Sequence, residues 1–62
     1  MQAEDLKRRR RALGLTQIEL AYLCGRSRNM VGYWEAGEWR VPGFVDTILC
    51  ALESYGVDGL LD

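Results

Sequence analysis

The sequence predicts an all-α fold, a compact bundle of about five short helices, on three observations. Apolar residues recur at three- and four-residue spacing in several short stretches, which is the helical period. Capping residues and glycines punctuate those stretches where helices begin and end. In the middle of the chain, TQIELAYLCGRSRNMVGYWEAG (residues 16–37), two capped helices are joined by a tight turn at Cys24-Gly25-Arg26.

The first helix is expected over residues 3–13. Leu6, Arg10 and Leu13 mark one face at i, i+4, i+7, and an arginine in a core stripe is unusual. Glu4 and Asp5 in the first turn and the basic run 7–11 later complement the helix dipole. Five consecutive bases cover every side of a helix, so they cannot all face one ligand. Solvated charge fits Arg8 and Arg11 best. Gly14 follows as the residue that ends the helix.

The second helix opens at Thr16, whose hydroxyl and Glu19 three residues on make a T-x-x-E capping box. Leu15 and Leu20 can form the hydrophobic staple beside it. This helix runs from Gln17 to Leu23 or Cys24, with Ala21 small where two helices cross. Gly25 supplies the positive φ of the reversal, and Ser27 caps the third helix, expected over 28–35. There Val31 and Trp34 point into a core, and Met30 is open between core edge and surface. Gly37 stops the helix. Residues 36–43, AGEWRVPG, form a loop with Pro42 leading into a fourth helix over 44–55. Phe44, Ile48, Ala51, Leu52 and Tyr55 are its expected apolar stripe. Gly56 closes it, and residues 57–61 form a last short turn or helix.

Sixty-two residues are expected to make one domain. A chain of that size buries only about 60% of its unfolded surface, so stability is expected at a few kcal/mol. No run of apolar residues is long enough to span a membrane, and the start MQAEDLKRRRR lacks the apolar stretch of a signal peptide. The expectation is a cytoplasmic protein. Cys24 and Cys50 are expected to be small buried side chains in a reducing compartment rather than a disulfide. With no histidine and two cysteines, a four-ligand zinc site is not available. No Gly-rich phosphate loop, nucleophile–base pair or carboxylate dyad occurs, and the usual general base is missing. No enzyme, no cofactor and no small-molecule ligand are expected.

Net charge is −1, but it is split: residues 1–40 hold all eight bases and sum to +3, while residues 41–62 sum to −4. A domain polarised in this way can turn one positive face to phosphates. On the third helix, Arg28, Asn29, Gly32, Tyr33 and Ala36 follow i, i+1, i+4, i+5, i+8, one stripe at the helical period. The stripe has no large aliphatic residue and no acid. Its guanidinium, amide and phenol suit base edges or phosphates. Arginine matches guanine O6 and N7, and asparagine matches adenine N6 and N7. An ordinary solvated face is the competing reading, and the capped helix and turn before it weigh against that.

With those residues in view, the chain resembles the Cro/phage-repressor helix-turn-helix family, the XRE type. The resemblance rests on Leu13-Gly14-Leu15-Thr16-Gln17, Glu19-Leu20-Ala21, Gly25, Ser27, Val31, Trp34-Glu35 and Gly37, with Pro42 and Phe44 beyond. It covers nearly the whole chain. It implies a lambda-repressor-like DNA-binding domain, with the third helix entering the major groove by its N-terminal end. Arg28, Asn29, Gly32 and Tyr33 would then read bases, Tyr33 at a thymine methyl or a phosphate. Gly32 replaces the family's usual small polar residue; close approach to DNA and simple tolerance are both open. Gln17, Arg26, Ser27, Trp39 and Arg40 would contact phosphates. Glu38 opposes such contact, and Trp39 has a second reading as a cap over the core. The resemblance also implies an ion pair between Arg10 and Glu35. The partner implied is double-stranded DNA, bound by a homodimer on a palindromic operator with half-site centres about 10–10.5 base pairs apart. Relatives pair through the C-terminal region, where this chain extends its fourth helix. A phage or bacterial setting and a repressor's role follow from resemblance alone. The alternative is a protein-interaction module, an antitoxin-like partner or adaptor, that keeps the fold without reading DNA.

Overall fold

A computed structural model describes residues 1–57. Among them are four helices: α1 (Ala3–Ala12), α2 (Gln17–Cys24), α3 (Arg28–Ala36) and α4 (Gly43–Tyr55). No strand occurs among the described residues. The all-α class stands, with four helices in place of about five. The last turn or helix expected over 57–61 lies outside the described residues from position 58 on.

The helix ends follow from local chemistry. Thr16 Oγ1 accepts from the Glu19 amide at 3.1 Å, and Glu19 Oε1 accepts from the Thr16 amide at 2.8 Å. Two otherwise orphaned donors are thereby satisfied reciprocally. Ser27 Oγ accepts from the Met30 amide at 3.3 Å. At the other ends, Leu15, Arg26 and Glu38 each donate a backbone N–H to the carbonyl five residues back, at 3.1, 2.9 and 3.1 Å. This is the Schellman closure. It needs a left-handed residue, and Gly25 supplies it between α2 and α3 at φ +67°. A side chain at that position would be strained.

The core is assembled from one face of each helix. Leu6, Leu20, Val31, Val45, Leu49 and Leu52 are fully buried, and Trp34 is buried among them. Leu15, Ala21, Cys24 and Val41 complete the cluster. α3 packs against both α1 and α2, and α4 packs against α2. The staple residues Leu15 and Leu20 both lie in this core, so the start of α2 is fixed by packing as well as by its cap.

Two expectations are corrected. The buried line of α4 is Val45, Leu49 and Leu52; Phe44, Ile48 and Ala51 are half-buried, and Tyr55 is exposed. The apolar arc of this helix is wide, and the expected stripe runs along one edge of it rather than its middle. Cys50 is exposed, not buried. It lies on the far side of α4 from Leu49 and Leu52, in line with Asp46 and Glu53. Both cysteines are free thiols, and Cys24 is buried.

Candidate nucleic-acid interface

α3 is anchored by two residues and one ion pair. Val31 and Trp34 hold it in the core. Trp34 meets Phe44 edge to face, with ring centroids 6.2 Å apart at 78°. This arrangement suits the quadrupoles of both rings. Glu35, the one acid of α3, points inward, its side chain only 4% exposed. Arg10 grips it with two bonds, Nε to Oε2 at 2.5 Å and Nη2 to Oε1 at 3.1 Å. Arg10 Nη1 also donates to the Leu15 carbonyl at 2.8 Å. One guanidinium therefore ties α1, the α1–α2 loop and α3 together. Burial disfavours the Glu35 charge, but hydrogen bonds from Arg10 and Gln17 outweigh it and hold the carboxyl below the usual glutamate value.

The consequence is an outward surface on α3 without an acid. Arg28, Asn29, Tyr33 and Ala36 are exposed, and Gly32 is half-buried. A side chain at Gly32 would meet open space. Arg28 and Asn29, in the first turn, are exposed and make no side-chain hydrogen bond among the described residues.

The residues expected at phosphates are placed as follows. Gln17, in the first turn of α2, donates one amide N–H to Glu35 Oε1 at 3.0 Å, leaving its other N–H and its carbonyl oxygen. Arg26 donates to the Gly25 carbonyl at 3.1 Å and lies 5.0 Å over the Phe44 ring. Ser27 accepts at the helix cap, which leaves its hydroxyl proton to donate outward. Arg40 is exposed and without a hydrogen-bond partner among the described residues. Trp39 does not cap the core. It is 56% exposed and stacks on Tyr33, centroids 5.9 Å apart at 20°. Its other surroundings belong to an open cleft of about 600 Å³ at the start of α1, lined also by Met1, Gln2 and Arg40.

Arg9 is a structural residue that the run of five consecutive bases does not single out. It bonds Glu53 at 2.8 and 2.9 Å and Asp46 at 2.7 Å, pinning α1 to α4. Its hydrogen bonds hold both carboxyls below their usual range. Asp46 and Glu53 stand at i and i+7 on one face of α4, a spacing legible in the sequence. Arg8 bonds Asp5 at 2.8 Å on the surface. Three of the five bases in the 7–11 run are thus occupied within the domain. Arg26, Arg28 and Arg40, before, on and after α3, are in no ion pair among the described residues, and neither are Lys7 and Arg11 on α1.

No helix among the described residues is long and apolar enough to cross a membrane, and no metal-ligating cluster occurs among them. Burial raises the Cys24 thiol above its usual value against the opposing charge of Arg26, which favours an inert neutral thiol.

Two short capped helices, a glycine turn between them and a second helix with a bare polar stripe define a helix-turn-helix protein. A family profile described as a helix-turn-helix domain matches residues 3–61. The chain belongs to that family, one of XRE-like helix-turn-helix domains. A search of curated proteins and a search of solved structures each found no match. Family membership supports a DNA-binding regulator as the general class, and such families are typically non-enzymatic.

Proposed function

We propose that the protein is a sequence-specific regulator of transcription, a repressor that lays α3 in the major groove of its operator. Arg28 pairs with guanine O6 and N7, and Asn29 with adenine N6 and N7. Gly32 lets the backbone come near the base edges, and Tyr33 contacts the groove one turn further along. Gln17, Arg26, Ser27, Trp39 and Arg40 hold the phosphates on either side and set the register without reading sequence. The protein acts as a homodimer on a palindromic operator in the cytoplasm of a bacterium, host-encoded or phage-encoded. The observation that carries this reading is the sorting of α3. Its only acid is turned inward onto Arg10 and Gln17, while Arg28 and Asn29 stand exposed at the helix start.

A second reading has one observation in its favour. Ile18 and Tyr22, at i and i+4 on α2, are 63% and 78% exposed. An apolar pair there suits a protein partner, as in an antitoxin-like module or adaptor. Duplex binding measured over a salt series separates the two. A DNA-binding regulator loses affinity steeply with added salt, because neutralised phosphates release counterions. Absence of duplex binding even at low salt, with a protein co-purifying instead, supports the second reading.

A further inference from the structure

We infer that Tyr33 and Trp39 form an apolar reader for a thymine methyl group, with Trp39 as a positioning residue that fixes Tyr33. This rests on the reading of α3 as the groove-facing helix.

Two large rings lie exposed side by side, Tyr33 at 42% and Trp39 at 56%. They lie in a near-parallel stack, ring centroids 5.9 Å apart, and each keeps a large part of its surface in water. The contact is built by the backbone. After Gly37 the loop turns back, and the amides of Glu38 and Trp39 both donate to the Tyr33 carbonyl, at 3.1 and 3.4 Å. Trp39 is thereby carried over the very residue whose carbonyl holds the loop. Tyr33 makes no side-chain hydrogen bond among the described residues, so the stack is what limits the swing of its phenol.

Beside this wall lies Gly32, where an added methyl would meet nothing within 4 Å. The stripe therefore has two chemically distinct ends. Arg28 and Asn29 supply hydrogen bonds at the start of α3. The later end offers a bare backbone at Gly32 next to the exposed ring of Tyr33, with no charged residue on the stripe after Arg28. In the major groove the thymine C5 methyl is the apolar group on a base edge. Exposed carbon of the two stacked rings matches that methyl; their own hydrogen-bonding groups are the Tyr33 hydroxyl and the Trp39 indole N–H.

The test uses the operator obtained by selecting bound duplexes from a random pool. Each thymine is replaced singly by deoxyuridine, which removes the methyl and nothing else, and affinity is read by fluorescence anisotropy. One thymine per half-site is expected to lose about fourfold per half-site when its methyl is removed, the worth of one buried methyl-sized group. Tyr33→Ala and Trp39→Ala are expected to abolish that preference, and Trp39→Phe, which can still stack, to keep most of it. Thermal melts confirm that the variants fold, as substitution at exposed positions predicts. A wild-type protein indifferent to every deoxyuridine overturns the inference. So does a Trp39→Ala variant that weakens thymine and uridine duplexes alike with the preference intact, which makes Trp39 a phosphate contact only. Failure of the groove reading looks different: no duplex is enriched at all, and this inference falls with it.

Discussion

Arg10 is the residue on which the local arrangement turns. Its guanidinium is buried in a stripe otherwise made of leucine, yet each of its bonds is directed at a fixed acceptor. Removing it leaves the Glu35 carboxylate buried without its main partner, at a cost of roughly 3–5 kcal/mol. A domain of this size has a total stability of only roughly 3–9 kcal/mol. Arg8 is the control: its pair with Asp5 is 75% and 40% exposed, and such pairs contribute about 0–1 kcal/mol. Arg10→Ala is therefore expected to melt well below Arg8→Ala, and thermal unfolding followed by circular dichroism checks it. Equal melting temperatures would contradict the role given to Arg10. How far these side chains were legible in the sequence differs from one to the next. Arg10 stood out because a base sits at a core position of the Leu6–Leu13 stripe. Its partner did not follow from spacing, since Glu35 lies 25 residues away, and came only through resemblance. Arg9 was hidden because five consecutive bases carry no periodicity to single one out. Trp39 stood undecided between two roles, and the structure rejects the core cap, because a loop side chain's direction depends on tertiary contacts.

At the scale of elements, the caps were the most readable features, because a T-x-x-E box and a glycine stop act within four residues. The centre of α4 was less so. An arc of six apolar residues admits more than one stripe, and only packing against α2 selects Val45, Leu49 and Leu52. On α3 the unresolved residue was Gly32. It lies inside the helix with open space beside it, so Gly32→Ala is expected to raise stability by about 0.5–1 kcal/mol. The same methyl stands on the outward stripe, so affinity for the selected operator is expected to fall about fivefold or more, the low end of what one base contact is worth, about 1 kcal/mol. A variant with a higher melting temperature and unchanged affinity would mean that the glycine is merely tolerated.

For the whole molecule, the charge split noted in the sequence is partly cancelled inside the fold. Arg9 draws two acids of α4 onto α1, and the cations left unpaired among the described residues are Lys7 and Arg11 on α1 and Arg26, Arg28 and Arg40 on or beside α3. The same ion pairs set the pH response. Glu35, Asp46 and Glu53 all titrate below their usual values in the folded protein. Their stabilisation is complete above the unfolded carboxylate values, about 3.9–4.3, and is lost as pH falls through the depressed folded values. Cys24 is shifted upward, so its contribution is present below the unfolded thiol value and is lost as pH rises through the folded one. The chain has no histidine to titrate between them. Melting temperature is therefore expected to be nearly flat from about pH 5 to 8 and to drop below about pH 4. Glu35→Gln is expected to melt lower at pH 7 but to lose less on acidification. Parallel pH curves for the two proteins would show that Glu35 is not among the groups that set the acid limit.

The central claim is that the N-terminal end of α3 reads base identity while the α3–α4 loop holds the backbone. It is tested most directly by the affinities of Arg28→Ala and Arg40→Ala for the selected operator and for random duplex, each over a salt series. Arg28→Ala should cost about 1–3 kcal/mol on the operator, spare random duplex and relax the preference at one base position. Arg40→Ala should weaken both duplexes alike and reduce the salt slope by about one. An Arg28→Ala variant that loses equally on operator and random duplex would contradict the account.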